Sequence, residues 1–127
     1  MTIVCVDNTP IMLQSLKENA RSAYPYADVK TFPTAAPALE YAETFGCDVL
    51  LCEINPPRLE GLFLAEKMKK INPRVNIIFV TVCSESEHAK AVLALKPSGY
   101  LTKEATSAQI LEELQNLRYL IQDAVYG

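Results

Sequence analysis

Short apolar runs alternate along this chain with longer segments whose apolar residues recur every three or four positions. Five of the short runs are predicted to be strands: residues 3–7, 28–32, 48–53, 76–82 and 99–101. The first, third and fourth are almost continuously hydrophobic, as is typical of strands that helices cover on both faces. The alternation therefore predicts an α/β fold, a three-layer sandwich with a parallel sheet in the middle.

Five helices are predicted between and after these strands. The first has apolar residues on one face and Pro10 where a first turn tolerates proline; these residues are Met12, Leu16, Ala20 and Ala23. The other helices are expected over residues 35–45, 62–71, 85–95 and 106–123. The last should turn a stripe of four apolar residues toward the sheet: Ile110, Leu114, Leu117 and Ile121.

The length of 127 residues predicts a single domain over residues 1–127, large enough to bury a core without metal or disulfide support. Hydrophobic residues make up 50% of the chain and charged residues 21%, which is ordinary for a globular protein. The net charge of -3 provides no basic field, so we expect no nucleic-acid binding by this domain. No apolar run approaches the roughly 20 residues of a membrane span. We therefore expect a cytoplasmic protein without membrane contact.

The cysteines indicate a reduced, structural role. Cys5, Cys47, Cys52 and Cys83 form no Cys-x-x-Cys unit, and three of them lie in apolar, strand-like runs. A small thiol packs there as a hydrophobe. The single histidine, His88, has no acid or cysteine at metal-ligand spacing, so no zinc site is expected.

Polar residues that could take part in chemistry lie at the carboxyl ends of four of the predicted strands. Asp7 and Asn8 follow the first, Glu53 ends the third, Thr81 lies at the fourth and Lys103 follows the fifth. In an open parallel sheet the carboxyl ends of the strands share one edge, where ligands bind. Such a set suits phosphoryl transfer to a carboxylate: oxygen ligands hold Mg²⁺, the central carboxylate attacks, and a hydroxyl and a lysine bind the phosphoryl oxygens.

These residues resemble the receiver domain of two-component response regulators over essentially the whole chain. The matching segments are VCVDN at residues 4–8, DVLLCEINPPRLEG at 48–61, the pair Val80 and Thr81, and GYLTK at 99–103. The resemblance implies a doubly wound, flavodoxin-like sheet of five parallel strands in the order 2-1-3-4-5, with helices on both faces. It also implies a switch controlled by phosphorylation of an aspartate, with a histidine kinase as donor.

The resemblance also assigns roles to individual positions. Glu53 stands at the phosphoacceptor, while Thr81 and Lys103 stand where phosphoryl oxygens are bound. Tyr100 stands at the aromatic whose rotamer follows the threonine, unless it is only a partly buried strand aromatic. The implied Mg²⁺ ligands are a set of four positions: Asp7, Asn8, Glu53 and Asn55.

Four residues depart from the family pattern. Glu53 replaces the acceptor aspartate, Asn8 replaces the second acid of the metal pair, Val82 replaces a small residue and Glu104 replaces a proline. Removing one formal charge weakens a hard-cation site that depends on carboxylates. We therefore expect Mg²⁺ binding to be weak or absent.

The extra methylene of Glu53 moves its carboxylate about one bond, on the order of 1.5 Å, and a misplacement of that size can cost roughly 100-fold in rate. The same reach brings the carboxylate toward Lys103 and Thr81. The leading hypothesis is that Glu53 is a permanent phosphate mimic and that the domain works without phosphorylation. Two alternatives stay open: a degenerate site retained for packing and dimerisation, and a receiver that is still slowly phosphorylated.

The expected partners are proteins. The resemblance implies a histidine kinase or an effector domain, and a homodimer through the fourth helix, fifth strand and fifth helix. The carboxyl-terminal part of the chain resembles the same part of receivers that precede LytTR-type DNA-binding domains. The resemblance covers residues 94–103 and continues through Ile110 to residues 117–119. This resemblance implies a transcription regulator whose effector domain is not contained in these 127 residues.

Two enzymatic alternatives are weaker. A flavin-binding protein of this fold needs a loop rich in Gly, Ser and Thr after the first strand, and residues 8–11 supply little of this. An Mg²⁺-dependent phosphatase of the aspartyl-phosphate type could use Asp7, but the second acid expected two residues later is Thr9. We therefore expect a protein that is not an enzyme.

Overall fold

The computed structural model describes residues 1–54, 60–82 and 89–121. Along these residues strands and helices alternate in the order β1 (Thr2–Val6), α1 (Pro10–Ala23), β2 (Asp28–Phe32), α2 (Ala35–Phe45), β3 (Val49–Glu53), α3 (Glu60–Ile71), β4 (Asn76–Thr81), α4 (Ala89–Ala94), β5 (Gly99–Thr102) and α5 (Ser107–Gln115). The predicted strands are all present, and no strand end differs from its prediction by more than one residue.

The strands pair in parallel to form one sheet with the order β2-β1-β3-β4-β5. The predicted doubly wound topology is thus confirmed. The chain moves from β1 outward to β2 and then returns past β1 to β3, so the direction of winding reverses between β1 and β3. The crevice at the carboxyl ends of the strands, beside this reversal, is where such sheets bind ligands.

Side chains of the central strands alternate between two apolar cores, one on each face of the sheet. Leu50 and Phe79 pack with residues of α2, α3 and α4. Leu51 and Val80 pack on the opposite face with residues of α1 and α5. Both cores are buried, which explains why β3 and β4 read as continuous hydrophobic runs in the sequence.

Local signals in the sequence account for several helix ends. Pro10 lies in the first turn of α1, where its missing N–H costs no hydrogen bond. Gly46 follows the last residue of α2 and caps the helix, with a φ of 80° in the left-handed region that glycine favours. α5 begins with a capping box in which Thr106 Oγ1 accepts the N–H of Gln109, and Gln109 Oε1 accepts the N–H of Thr106.

The predicted last helix is too long. α5 ends at Gln115, so residues 116–121 of the predicted helix are not helical, and residues 122–123 lie outside the described part of the chain. The N–H of Asn116 donates to Glu113 O, and its side-chain amide donates to Glu112 O. Leu117 and Ile121 are partly buried against the core beside α1 and α5, but not as members of a helical stripe. The cause lies in tertiary contacts, since no glycine or proline stands at this helix end.

Two other helices differ less from the prediction. α3 begins at Glu60, two residues before the predicted start. α4 is described from Ala89 to Ala94; its predicted first turn falls outside the described residues, as do Cys83, His88 and Asn55. Among the helices that the structure describes, none is both long and apolar enough to cross a bilayer.

Gly61, in the first turn of α3, lies directly against the backbone of β3. A Cβ at this position would overlap the carbonyl oxygen and carbon of Glu53. The carbonyl of Gly61 also accepts a hydrogen bond from the Cys52 thiol at 3.7 Å. Only glycine permits this approach, so Gly61 helps to set where the last residue of β3 lies.

Gly61→Ala should destabilise the protein by roughly 1–3 kcal/mol, the usual cost of overpacking, because the new methyl group must displace the Glu53 backbone. The gain of about 1 kcal/mol in helix propensity offsets part of this cost, and a net loss remains because the overlap is with backbone atoms, which cannot rotate away. Urea unfolding measures the difference, and Glu66→Ala, at an exposed position of the same helix, provides a control expected within about 0.5 kcal/mol of wild type. Wild-type stability of Gly61→Ala would contradict the close approach.

Among the residues that the structure describes, three thiols are buried and free: Cys5, Cys47 and Cys52. Burial raises the pKa of Cys5 to about 12 from its ordinary value of 9.0. Burial also raises the pKa of Cys47 and of Cys52. These thiols pack as small hydrophobes, as expected from the sequence.

In a Cys83→Ser variant, the remaining thiols should react very slowly with a disulfide reagent at pH 8. A rise in pKa from 9.0 to about 12 lowers the thiolate fraction of Cys5 by about 1,000-fold, and only the thiolate attacks. Reaction is followed by absorbance with and without denaturant. Rapid labelling of any thiol in the native protein would contradict this packing.

Candidate functional site

Three charged side chains from separate strands meet at the carboxyl edge of the sheet. Asp7 follows β1, Glu53 is the last residue of β3 and Lys103 follows β5. Lys103 is separated along the chain by 50 residues from Glu53 and by 96 residues from Asp7. The N–H of Lys103 donates to the carbonyl of Thr81, at the end of β4, at 2.7 Å. Parallel strand order thus brings distant residues to one place.

Lys103 bridges the two carboxylates. Its Nζ lies 2.6 Å from Glu53 Oε2 and 3.1 Å from Asp7 Oδ1. The Lys103 side chain is 17% exposed and that of Asp7 is fully buried, so water has little access to these contacts. Charge-assisted hydrogen bonds are roughly twice as strong as neutral ones. The bridge is therefore a strong local constraint on the ends of β1, β3 and β5.

Glu53 uses both carboxylate oxygens. While Oε2 contacts Lys103, Oε1 accepts the backbone N–H of Asn8 at 2.8 Å. The contact with Lys103 that the longer side chain was expected to allow is present. Thr81 is buried at the end of β4, where its carbonyl holds the backbone of Lys103.

The electrostatics of the site favour a protonated lysine. Burial lowers the pKa of Lys103, but its hydrogen bonds to Glu53 and Asp7 and the charges of both carboxylates together raise the pKa above its ordinary value of 10.5. Lys103 is therefore an ammonium throughout the physiological range. The two carboxylates and the one ammonium leave the site with one formal negative charge.

Asp7 has one satisfied and one unsatisfied oxygen. Its Oδ1 accepts hydrogen bonds from Lys103 Nζ and from the N–H of Thr9. Its Oδ2 is buried and has no hydrogen-bond partner within the described residues. An unpaired buried acceptor costs roughly 1–3 kcal/mol. This oxygen is the feature of the site that is best suited to an added cation or donor.

The described residues nevertheless do not fit a strong Mg²⁺ site, which needs a near-octahedral set of oxygens. Both oxygens of Glu53 are already bound, and the side chain of Asn8 is a neutral amide whose Oδ1 lies 3.3 Å from the Thr9 hydroxyl. Asn55 lies outside the described residues. Asp7 Oδ2 is thus the one free carboxylate oxygen here, and no group of three or more His, Cys, Asp or Glu suited to a metal occurs in the part of the chain that the structure describes.

Three further positions singled out in the sequence are described by the structure: Tyr100, Val82 and Glu104. Tyr100 is half-buried in β5 and packs against the core of α2, α3 and α4. Val82 is 72% exposed just after β4, and Glu104 is exposed just after Lys103. The structure therefore brings Asp7, Glu53 and Lys103 into contact and leaves Val82 and Glu104 on the surface.

Backbone donors were not anticipated from the sequence. The sequence points to the side chain of Asn8, yet it is the backbone N–H of Asn8 that binds Glu53, and the N–H of Thr9 binds Asp7. No residue pattern specifies such donors, because every residue except proline carries the same N–H. Gly61 was visible as a glycine shortly after Glu53, but its role needed the packing of α3.

The chain is similar to a known protein family over most of its length. Residues 3–115 match the family model of the response regulator receiver domain. Response regulator GacA of Pseudomonas syringae pv. syringae (strain B728a) is 30% identical over 78 residues, which are 61% of this chain and 36% of GacA. The nitrate/nitrite response regulator protein NarL of Escherichia coli (strain K12) is 24% identical over 113 residues, 89% of this chain and 52% of NarL. This chain therefore spans about half or less of the length of these relatives.

Solved structures give the same fold. A receiver domain protein described as CheY-like, from Methanospirillum hungatei JF-1, has a TM-score of 0.78 and 26% identity, with 90% of each chain covered. The BeF3-activated receiver domain of DrrB has a TM-score of 0.77 and 22% identity, covering 90% of this chain and 93% of that one. The second likeness shows the fold alone.

The family match covers most of the chain and includes all three residues of the bridge. Receiver domains are signalling modules that interact with histidine kinases and effector domains, and they typically bind Mg²⁺ for phosphorylation. The family match is consistent with the sheet order and with the polar residues at the carboxyl edge of the sheet. The chain belongs to the receiver domain family of two-component response regulators.

Proposed function

We propose that this receiver domain signals without phosphorylation, and that Glu53 supplies the negative charge that a phosphorylated aspartate supplies in other receivers. The observation that carries the proposal is the 2.6 Å contact between Glu53 Oε2 and Lys103 Nζ. The family resemblance assigns Lys103 to the binding of phosphoryl oxygens. Glu53 therefore provides, from within the chain, an anionic partner for that lysine.

The strength of the contact supports a role in switching. Two unit charges about 4 Å apart at an effective dielectric near 20 attract by roughly 4 kcal/mol before desolvation. The present pair is closer than this, and its side chains are only 17% and 10% exposed. Burial of Lys103 opposes the gain. An interaction of this order is large enough to bias a conformational equilibrium of a few kcal/mol.

The same geometry disfavours phosphorylation of Glu53. A carboxylate that attacks phosphorus must release an oxygen from Lys103 or from the N–H of Asn8. The formal negative charge of the site repels a phosphodonor, and the described residues offer one free carboxylate oxygen to an Mg²⁺ ion that would offset it. We infer that Mg²⁺ binds weakly here and that acyl phosphate formation is slow or absent.

We further propose that the output is a contact between proteins that controls transcription through an effector domain outside these 127 residues. NarL is named as a response regulator, and another similar protein is a transcriptional regulatory protein, DegU of Brevibacillus brevis. A homodimer through α4, β5 and α5 fits the exposed apolar side chain of Leu93 on α4, which is 71% exposed. The net charge of -3 supports an output that does not use nucleic-acid binding by this domain. We propose a LytTR-type effector on the basis of the resemblance of residues 94–103, Ile110 and residues 117–119.

Incubation with Mg²⁺ and acetyl phosphate should leave the intact mass of the protein unchanged. Glu53→Asp alone should also stay unmodified, because Asn8 leaves the metal site short of one charge. Glu53→Asp combined with Asn8→Asp should gain one phosphate, and should not gain it without Mg²⁺. A stoichiometric adduct on wild-type Glu53 would show that the domain is a slow but real phosphoacceptor. An adduct on Glu53→Asp alone would show that Glu53 is the sole defect.

Glu53→Gln keeps the side-chain size and removes the charge. It therefore distinguishes a domain in which Glu53 mimics a phosphate from a degenerate domain that only dimerises. Self-association should weaken by about tenfold or more, equivalent to roughly 1.4 kcal/mol, because the Lys103 contact no longer favours the active conformation. Analytical ultracentrifugation measures this, and the amide NMR signals of Tyr100 and Thr102 should shift with it. Glu104→Gln, at an exposed position beside the bridge, is the matched control. Equal association of both variants and wild type would favour the degenerate module.

A further inference from the structure

The segment after α5 is held at the end of the sheet opposite to Glu53. Asn76, the first residue of β4, is fully buried, and its side-chain amide binds the backbone of Tyr119 twice. Asn76 Nδ2 donates to Tyr119 O at 2.9 Å, and Tyr119 N–H donates to Asn76 Oδ1 at 2.8 Å. The amide thus pairs with Tyr119 as a neighbouring strand would. We call residues 116–121 the strap.

A second residue strengthens this attachment. Ser98 Oγ donates to Asn76 Oδ1 at 2.8 Å and accepts the N–H of Arg118 at 3.0 Å. The ring of Tyr119 lies near three cations, with Lys69 Nζ 4.8 Å, Arg74 Cζ 5.3 Å and Arg118 Cζ 5.9 Å from its centroid. Cation–π contacts of this kind are individually weak at the surface. Together with the hydrogen bonds they favour the docked strap.

The sequence of the strap is also compatible with a helix. Residues 116–121 read NLRYLI and contain neither glycine nor proline. Leu117 and Ile121 continue the helical spacing of Ile110 and Leu114, which are buried on α5. In the docked strap, Leu117 and Ile121 already contact the same apolar core. Extending α5 would therefore retain apolar contacts and exchange the bonds to Asn76 and Ser98 for bonds within the helix.

We propose that the strap is a two-state element, docked on Asn76 and Ser98 in one state and continuing α5 in the other. Six residues of helix advance by about 9 Å along the helix axis, so the two states release the chain after Ile121 at different points. A domain attached there is repositioned by the change. This inference concerns a device of the fold and does not depend on whether Glu53 mimics a phosphate.

The strands connect the strap to the functional site. β4 runs from Asn76 to Thr81, and Thr81 O holds the backbone of Lys103. β5 lies between Ser98 and Lys103. Each strand therefore has one end at the strap and the other at the bridge. The strands are thus a contiguous path between the two places, and the proposed strap is the two-state element that coupling along such a path requires.

The test removes the anchors and measures the conformation of the strap by NMR. In the variant Asn76→Ala with Ser98→Ala, the Cα chemical shifts of residues 117–121 should move to helical values. In wild type these shifts should be non-helical, and the N–H groups of Arg118 and Tyr119 should be protected from hydrogen exchange. Random-coil shifts in the variant, or shifts equal to those of wild type, would overturn the proposal.

Because Asn76 is buried, the double variant could fail to fold. A second variant, which leaves Asn76 and Ser98 unchanged, tests the proposal in that case. Asn116→Ala removes the bond from the Asn116 amide to Glu112 O and raises helix propensity, while the anchors stay intact. Its strap should gain helical shifts relative to wild type. Adding Leu120→Pro, at a position 85% exposed, should abolish the gain, because proline cannot continue the helix. No gain in Asn116→Ala, or a gain that survives Leu120→Pro, would contradict the two-state strap.

Discussion

The Lys103 ammonium between two buried carboxylates is the interaction on which the carboxyl edge of this domain depends. It joins residues that follow or end β1, β3 and β5, and the Thr81 carbonyl ties the same lysine to β4. Removing one partner of a buried pair typically costs 3–5 kcal/mol, because a charge is left unpaired. The lysine therefore sets both the charge of the site and the positions of the strand ends.

The fold was largely readable from the sequence because its strongest signals are local. β3 and β4 are continuous apolar runs, and Pro10 marks the first turn of α1. The convergence of Asp7, Glu53 and Lys103 also followed, since parallel strands place their carboxyl ends on one edge. These features need only the order of the elements and the identity of the residues.

What the sequence did not reveal depends on contacts between distant parts of the chain. The end of α5 was misplaced because NLRYLI has no helix breaker, and the competing bonds come from Asn76 and Ser98. The role of Gly61 became visible only with α3 seated on the backbone of Glu53. The N–H of Asn8 became visible only with the carboxylate of Glu53 in place. In each case the role of the residue depends on a tertiary contact that the local sequence does not specify.

Under the proposed function, the charge of Glu53 also determines how long the signal lasts. An acyl phosphate is lost by hydrolysis, so a receiver that carries one returns to its resting state as the acyl phosphate hydrolyses. The carboxylate that contacts Lys103 is part of the covalent chain, and the raised pKa of the lysine keeps its ammonium charged at every physiological pH. Under the proposed function, the signal then lasts as long as the polypeptide itself. Its strength is set by how fast the cell makes and degrades the protein, or by partners that compete for its surface.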